Sequence, residues 1–126
     1  MKKIFFLMAM AFSAVSFAQK SDTDVIVQAF KSGNATEVAK YFDEYVDIKL
    51  LDKAEVKNMS RNQAGIMLKS FFEENGVKGF EKASEREIGT TMYMTGKLTG
   101  SSKSYGITVL LKVKDGKRQI ISVRIS

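Results

Sequence analysis

The chain has 126 residues, with 20 basic and 14 acidic side chains and neither cysteine nor histidine. The lack of cysteine excludes disulfides, and the lack of histidine removes the commonest general base and the commonest zinc ligand, which excludes most familiar hydrolase sites. No metal and no cofactor are expected, and the length suits one domain with a substantial core.

The first eighteen residues have the pattern of an export signal. Lys2 and Lys3 provide the positive start, residues 4–15 form the apolar stretch, and Ser16-Phe17-Ala18 matches the small-x-small pattern that a signal peptidase cleaves. We therefore expect residues 1–18 to be removed and residues 19–126 to act in the periplasm or outside the cell. No cysteine follows to carry a lipid and no later apolar run is long enough to span a bilayer, so no membrane anchor is expected.

The charges of the remaining chain are mixed. Without Lys2 and Lys3, 18 basic residues stand against 14 acidic ones, a mild net charge of +4. Nucleic-acid-binding domains concentrate their positive charge on one face. Basic and acidic residues alternate here instead, as in Lys31, Glu37, Lys40, Asp43, Asp47, Lys49, Glu55, Lys57, Lys69 and Glu73. No nucleic-acid partner is predicted.

Two short amphipathic helices are predicted after the signal. The first begins at the cap Ser21 and ends at Gly33, and the second begins at Asn34, with Glu37 completing a capping box. Their apolar positions recur at helical spacing: Val25, Ile26, Ala29 and Phe30 in the first, then Val38, Tyr41, Phe42 and Tyr45 in the second. On this prediction Tyr41 and Tyr45 lie on the apolar stripe of the second helix.

From Val46 the apolar period changes to two. This predicts a half-buried strand over residues 46–50, a turn near Asp52-Lys53 and a short strand over residues 56–59. Ser60 with Gln63 is a second capping box, and a helix over residues 61–75 is closed by Gly76. Its apolar stripe consists of Ala64, Met67, Leu68, Phe71 and Phe72.

The rest of the chain is predicted to form four strands. They cover residues 80–88, 91–98, 105–113 and 119–125, the first of them charged and exposed. Gly100-Ser101-Ser102-Lys103 makes one turn, and Asp115-Gly116 is a strong hairpin signal. In the last strand we expect the core side to carry Ile121, Val123 and Ile125.

This order of elements predicts an α+β fold. Three helices in the N-terminal half pack on a curved, mainly antiparallel sheet in the order ααββαββββ, because parallel βαβ units would need a helix between the late strands. An antiparallel sheet with one buried face shows such alternation. We expect the helices on the face that bears Val109, Leu111 and Val123.

Several short motifs resemble an exported bacterial family, domain of unknown function 4783. They are Ala29-Phe30-Lys31-Ser32-Gly33-Asn34-Ala35, Gln63-Ala64, Leu68-Lys69, Phe71-Phe72, Tyr105, Leu110-Leu111-Lys112 and Val123-Arg124-Ile125. The resemblance implies a nuclear-transport-factor-2-like (NTF2-like, cystatin-like) cone over nearly all of residues 19–126, and no activity, because the motifs are packing and turn residues. Family members often have a proline after the long helix, where this chain has Gly76-Val77-Lys78-Gly79, so a looser connection is expected.

Asp47 with Tyr45 is the candidate catalytic pair. A carboxylate beside a phenol can move a proton, as in the ketosteroid-isomerase branch of the NTF2-like fold that the sequence resembles. The simpler interpretation is a solvated acid beside a core tyrosine. A buried carboxyl group within hydrogen-bond reach of a tyrosine would favour catalysis.

A second set of residues is the candidate ligand site. Tyrosine and methionine combine apolar bodies with polar or adaptable tips, and the residues are Tyr41, Tyr45, Met92, Met94 and Tyr105, with Tyr93 beside them. Two interpretations are open: these side chains line a pocket between helices and sheet, or they fill an ordinary core. Asn34 and Ser60 also match glycosylation patterns but are interpreted as helix caps, and Glu73, Glu74, Glu81, Glu85 and Glu87 as solvated charges rather than calcium ligands.

Three functions remain open. The leading hypothesis is a non-enzymatic exported domain that binds a small apolar or amphipathic ligand, or a protein partner, through its open end or its sheet face, including a homodimer through the sheet. The second is an isomerase or dehydratase that uses Asp47 and a tyrosine. The third is an envelope structural or interaction protein without a pocket.

Overall fold

The computed structural model describes residues 23–126. The predicted export signal, residues 1–18, lies outside the described residues and stays a prediction. Three helices and six strands follow in the predicted order. They are α1 (described over residues 23–31), α2 (Ala35–Ala39), β1 (Phe42–Leu50), β2 (Val56–Ser60), α3 (Arg61–Asn75), β3 (Gly79–Ile88), β4 (Thr91–Thr99), β5 (Ser104–Lys114) and β6 (Lys117–Ile125).

The six strands form one mixed sheet in the order β2-β1-β6-β5-β4-β3. The last four strands are an antiparallel meander, as predicted, and β1 with β2 is a second antiparallel pair. The two parts join where β1 lies parallel to β6. The predicted α+β fold with a mainly antiparallel sheet is therefore confirmed.

One face of the sheet and the helices enclose a buried apolar cluster. Val109, Leu111 and Val123 are fully buried in it, which places the helices on the predicted side. The helices contribute Ile26, Phe30, Val38, Ala64, Leu68, Phe71 and Phe72 to this cluster. Because no cysteine is present to form a disulfide, this packing carries the stability of the domain.

The second helix is much shorter than its apolar spacing predicts. It ends at Ala39, closed by bonds from the Lys40 and Tyr41 N–H groups to carbonyls three residues back, and β1 begins at Phe42. The prediction that Tyr45 lies on a helical stripe was therefore wrong. Aromatic and β-branched residues dominate residues 41–48 and favour extended chain, and the Tyr41 carbonyl accepts a bond from the Ile120 N–H at 2.7 Å.

A β-bulge changes which isoleucine of the last strand faces the core. The register between β5 and β6 shifts so that Leu110 pairs with Ser122 and Leu111 with Ile120, which leaves Ile121 as the extra residue. Ile120 is fully buried and Ile121 is half-buried. The prediction that Ile121 shares the core side with Val123 was wrong, because alternation resets at a bulge.

The long helix α3 begins and ends where the sequence predicts. The Ser60 hydroxyl accepts from the Gln63 N–H at 3.3 Å, and Gly76 closes the helix in the left-handed conformation with φ of 59°. The segment after it is hydrogen-bonded to the helix and to β4, through the Val77 N–H to the Phe72 carbonyl and the Lys78 N–H to the Thr99 carbonyl. The connection is thus a tied turn rather than the looser link expected.

Candidate functional site

The sheet face turned away from the helices carries a transverse row of side chains. Registered pairs on successive strands place five residues side by side, and their order from β1 to β3 is Asp47, Ser122, Leu110, Tyr93 and Arg86. Strands lie about 4.8 Å apart, so the row is roughly 19 Å long. Residues beside the row on these strands point the other way and are buried: Val46, Ile48, Met92, Met94, Val109 and Leu111.

A cavity of about 600 Å³ lies along this row. Tyr45 and Tyr93, which are 56% and 39% exposed, stand on its two sides, and Leu110 and Ile121 contribute apolar surface between them. Ser122 is 7% exposed and forms the base. A small residue between larger neighbours makes a flat sheet face concave here. We call this cavity the outer groove.

The rim of the outer groove carries two acids and two bases. They are Asp47, Glu55, Lys57 and Arg124. An Asp47 carboxylate oxygen accepts the backbone N–H of Asn58 at 2.9 Å. In residues 23–126, no ion pair within 4.0 Å is found for any of the four. Their formal charges cancel, so the groove has no net charge at neutral pH.

A second, more polar cavity of about 510 Å³ shares Tyr45 with the outer groove. In it the Lys114 ammonium lies 3.2 Å from the Asp43 carboxylate. Partial burial of Asp43 acts to raise the pKa of its carboxyl group. The Glu44 N–H bond, the Lys114 ammonium and the Arg61 charge outweigh this effect together and hold the pKa below its ordinary value. Asp43 therefore remains ionised as a partner of Lys114.

The structure separates the residues of the predicted ligand site. Met92 and Met94 are fully buried, and Tyr105 is 4% exposed, donates its hydroxyl to the Asn75 side-chain oxygen at 2.8 Å and packs edge-on against Phe71. Tyr41 is half-buried and packs on the same apolar cluster. Tyr45 lies on the opposite sheet face, so it does not share a cavity with Met92, Met94 or Tyr105.

The candidate catalytic pair, Asp47 and Tyr45, does lie together in the outer groove. Asp47 is half-buried and Tyr45 is exposed. In residues 23–126, no hydrogen bond joins a tyrosine hydroxyl to a carboxylate, and the Asp47 carboxylate is bonded to the Asn58 N–H instead. What the pair offers is a polar edge beside an aromatic ring.

The remaining candidate motifs are structural. Asn34 caps α2 by accepting from the Thr36 and Glu37 N–H groups, and Ser60 caps α3. Strand β3 is exposed from Glu81 to its end, as predicted. Within residues 23–126, no three His, Cys, Asp or Glu side chains come together as a metal site would need. No helix in this part of the chain is both long enough and apolar enough to span a membrane.

Sequence reasoning missed Leu110, Ile121, Ser122 and Arg124 as members of a site. They belong to two strands whose alternation was used only to find the core. One signal was present, because Tyr93 alternates with Met92 and Met94 and must point away from them. The registers that bring Tyr93 and Tyr45 to one groove depend on the tertiary fold.

The sequence model of the family called domain of unknown function, DUF4783, matches residues 23–126. The chain belongs to the DUF4783 family. The residues quoted as motifs in this DUF4783 domain lie mostly in the core, at caps or at strand pairings, which explains why they identify a fold. No curated protein matches the chain.

Solved structures agree with this assignment. A DUF4783 protein of Bacteroides fragilis is 28% identical with a TM-score of 0.72, covering 80% of this chain and 93% of its own. One from Bacteroides ovatus is 22% identical with a TM-score of 0.73, covering 80% and 90%. An NTF2-like protein of unknown function from Cytophaga hutchinsonii is 12% identical with a TM-score of 0.58, covering 86% and 88%. The predicted NTF2-like fold is confirmed.

Proposed function

We propose that this DUF4783 domain is a non-enzymatic binding module that holds a small amphipathic molecule in the outer groove. The observation that carries the proposal is the open cavity of about 600 Å³ between Tyr45 and Tyr93. Ligand sites are concave, of roughly 300–1,000 Å³, and combine apolar surface with a few polar groups. Leu110 and Ile121 supply the apolar surface, and the Ser122 base and charged rim supply polar groups.

The place of action belongs to the same proposal. An export signal over residues 1–18 would deliver the domain to the periplasm or outside the cell. Since the chain has no cysteine, the domain would have to be stabilised there by packing alone. Determination of the N-terminus of the protein secreted by its native host tests this, and retention of Lys2 in the product would contradict it.

Binding can be tested with N-phenyl-1-naphthylamine, a neutral aromatic probe with one polar N–H group, on protein expressed from the complete sequence. Amide NMR shifts should locate the probe at β1, β4, β5 and β6. Tyr93→Ser should weaken its binding about tenfold, as expected for the loss of an aromatic anchor. Ile66→Ser is the matched control, since Ile66 is 60% exposed on α3, away from the groove. Loss of binding in the control but not in Tyr93→Ser would refute the proposal.

The transverse row favours a second candidate, a homodimer through the sheet. The row has an acid, Asp47, at one end, a base, Arg86, at the other, and Leu110 in the middle. A two-fold axis near Leu110 that runs parallel to the strands would place Asp47 opposite Arg86 of a second copy, which is the self-complementarity a symmetric interface needs.

Sedimentation equilibrium tests the homodimer. The dimer predicts twice the monomer mass for the wild type and a monomer for Arg86→Glu. The double variant Asp47→Lys with Arg86→Glu should recover the dimer, because it reverses both charges of each pair. A wild-type protein that stays monomeric at about 100 μM, a hundred times the concentration at which a micromolar dimer forms, would exclude the dimer.

A further inference from the structure

We propose that the ligand of the outer groove is a neutral saccharide unit. This inference rests on the proposed function, and it names the chemical class that the groove is built to hold. Three properties of the described residues lead to it: the absence of net charge, the mixture of hydrogen-bond donors and acceptors, and the exposed aromatic faces.

Charge is the first property. Asp47 and Glu55 cancel Lys57 and Arg124 on the rim. A site for an anion or a cation needs an excess of the opposite charge, because desolvating an uncompensated ion is costly. A neutral ligand has no such cost, and it can still use the four charged groups as strong hydrogen-bond partners.

The hydrogen-bonding groups are the second property. Lys57 and Arg124 only donate, the two carboxylates only accept, and Asn58 does both. Ser122 and Thr108 add hydroxyl groups that donate or accept according to the partner. A sugar ring has several hydroxyls, each both a donor and an acceptor, and it needs such a mixed lining. An acyl chain would make no hydrogen bond with any of these groups.

The aromatic faces are the third property. A pyranose ring has an apolar side of C–H groups that packs on a flat aromatic ring. Tyr45 and Tyr93 line the two sides of the groove, and these residues are 56% and 39% exposed. A tyrosine brings a large apolar body with a polar tip, which suits a ligand that is apolar on its faces and polar at its edges. With a volume of about 600 Å³, the cavity has room for a disaccharide.

The test uses maltose, cellobiose and N,N′-diacetylchitobiose with protein expressed from the complete sequence. At about 20 mM, above the millimolar dissociation constants of weak sites, at least one sugar should shift amides of β1, β4, β5 and β6. Tyr93→Ala should lower the affinity for that sugar about tenfold, while the control Ile66→Ala should leave the affinity unchanged.

Other outcomes separate this inference from the proposed function. If N-phenyl-1-naphthylamine occupies the groove and none of the sugars does, the saccharide inference is wrong and the binding module stands. Sugar shifts that survive Tyr93→Ala also overturn it. If neither the sugars nor the naphthylamine perturb the groove, both proposals fail.

Discussion

Asp43 and Lys114 are 71 positions apart in the sequence, and the structure joins them in an ion pair. The Lys114 ammonium lies 3.2 and 3.3 Å from the two oxygens of the Asp43 carboxylate. Asp43 is near the start of β1 and Lys114 ends β5, so the pair spans β6, which lies between these strands. The Asp43 side chain is 16% exposed, which protects the contact from full screening by solvent.

This pair predicts a defined loss of stability in acid. The pKa of Asp43 is lowered in the folded protein, so the unfolded chain takes up the proton first as the pH falls. The stabilisation is complete well above pH 4, near the ordinary aspartate value of about 3.9, and is lost as the pH falls through the folded pKa. Asp43→Asn should lower the free energy of unfolding by about 1 kcal/mol at pH 7, and by progressively less below pH 4.

Urea denaturation at several pH values measures this difference. Glu44→Gln is the matched control, because Glu44 is an exposed neighbour with no ion pair among the described residues. Its stability difference from the wild type should stay within about 0.5 kcal/mol at each pH. An Asp43→Asn deficit that is as large at pH 3 as at pH 7 would contradict the assignment.

Met94 and Tyr93 are adjacent in β4 and face opposite sides of the sheet. Met94→Ala opens a cavity in the core and should lower the free energy of unfolding by about 2 to 4 kcal/mol. Tyr93→Ala removes an exposed ring and should cost less than about 1 kcal/mol, while it weakens binding in the outer groove. Chemical denaturation and probe titration on both variants measure the two effects. A ligand-binding defect in Met94→Ala at full stability would instead place the site between helices and sheet.

Gly76 ends α3 in a left-handed conformation and packs closely on Ser101. An added Cβ would lie 2.7 Å from the Ser101 hydroxyl oxygen, in addition to the strain at φ of 59°. Gly76→Ala should therefore cost about 2 to 4 kcal/mol. Gly89 has a similar φ of 61° with open space around it, so Gly89→Ala should cost only about 1 kcal/mol. Equal losses in urea unfolding would show that the Ser101 contact contributes nothing.

Gly96 of β4 lies against the ring of Phe80, next to the register shift in the antiparallel pairing of β3 with β4. An added Cβ would clash with the Glu81 carbonyl oxygen and would lie 2.6 Å from the Phe80 ring. A backbone atom cannot move away as easily as the end of a side chain, so Gly96→Ala should lower the free energy of unfolding by about 2 to 4 kcal/mol. Gly79→Ala is the control, because its Cβ would meet Thr99 at an ordinary 3.6 Å. Thermal or urea unfolding that finds the two variants equally stable would rule out the close approach.

Most of the fold could be predicted from local chemistry. The bounds of α3 follow from Ser60 and Gly76, because caps satisfy backbone groups at the ends of a helix. The β5–β6 hairpin follows from Asp115-Gly116, whose φ angles of 52° and 76° are those the tight turn requires. The exposure of β3 follows from its alternating charges. In each case the interactions lie within a few residues of one another.

Tertiary contacts decided the rest. The span before Val46 fits a helical period, yet it becomes a strand. Phe42 pairs with Ile120 of β6 and Tyr45 with Ser60 of β2, so its backbone groups find partners in the sheet. The bulge that leaves Ile121 out of the core is a matter of pairing between β5 and β6. Neither the strand before Val46 nor the bulge can be predicted from the apolar period of the sequence, because that period describes one segment at a time.

By itself, the sequence determined the order of elements, the curved mainly antiparallel sheet, the family, and the absence of disulfide and histidine chemistry. Only the tertiary structure decided which side chains share a surface. It placed Met94 and Tyr105 inside the core, and it brought Tyr45, Ser122 and Tyr93 to one groove from three different strands. The physical reason is that caps and alternation act locally, whereas a groove depends on strand register between distant segments.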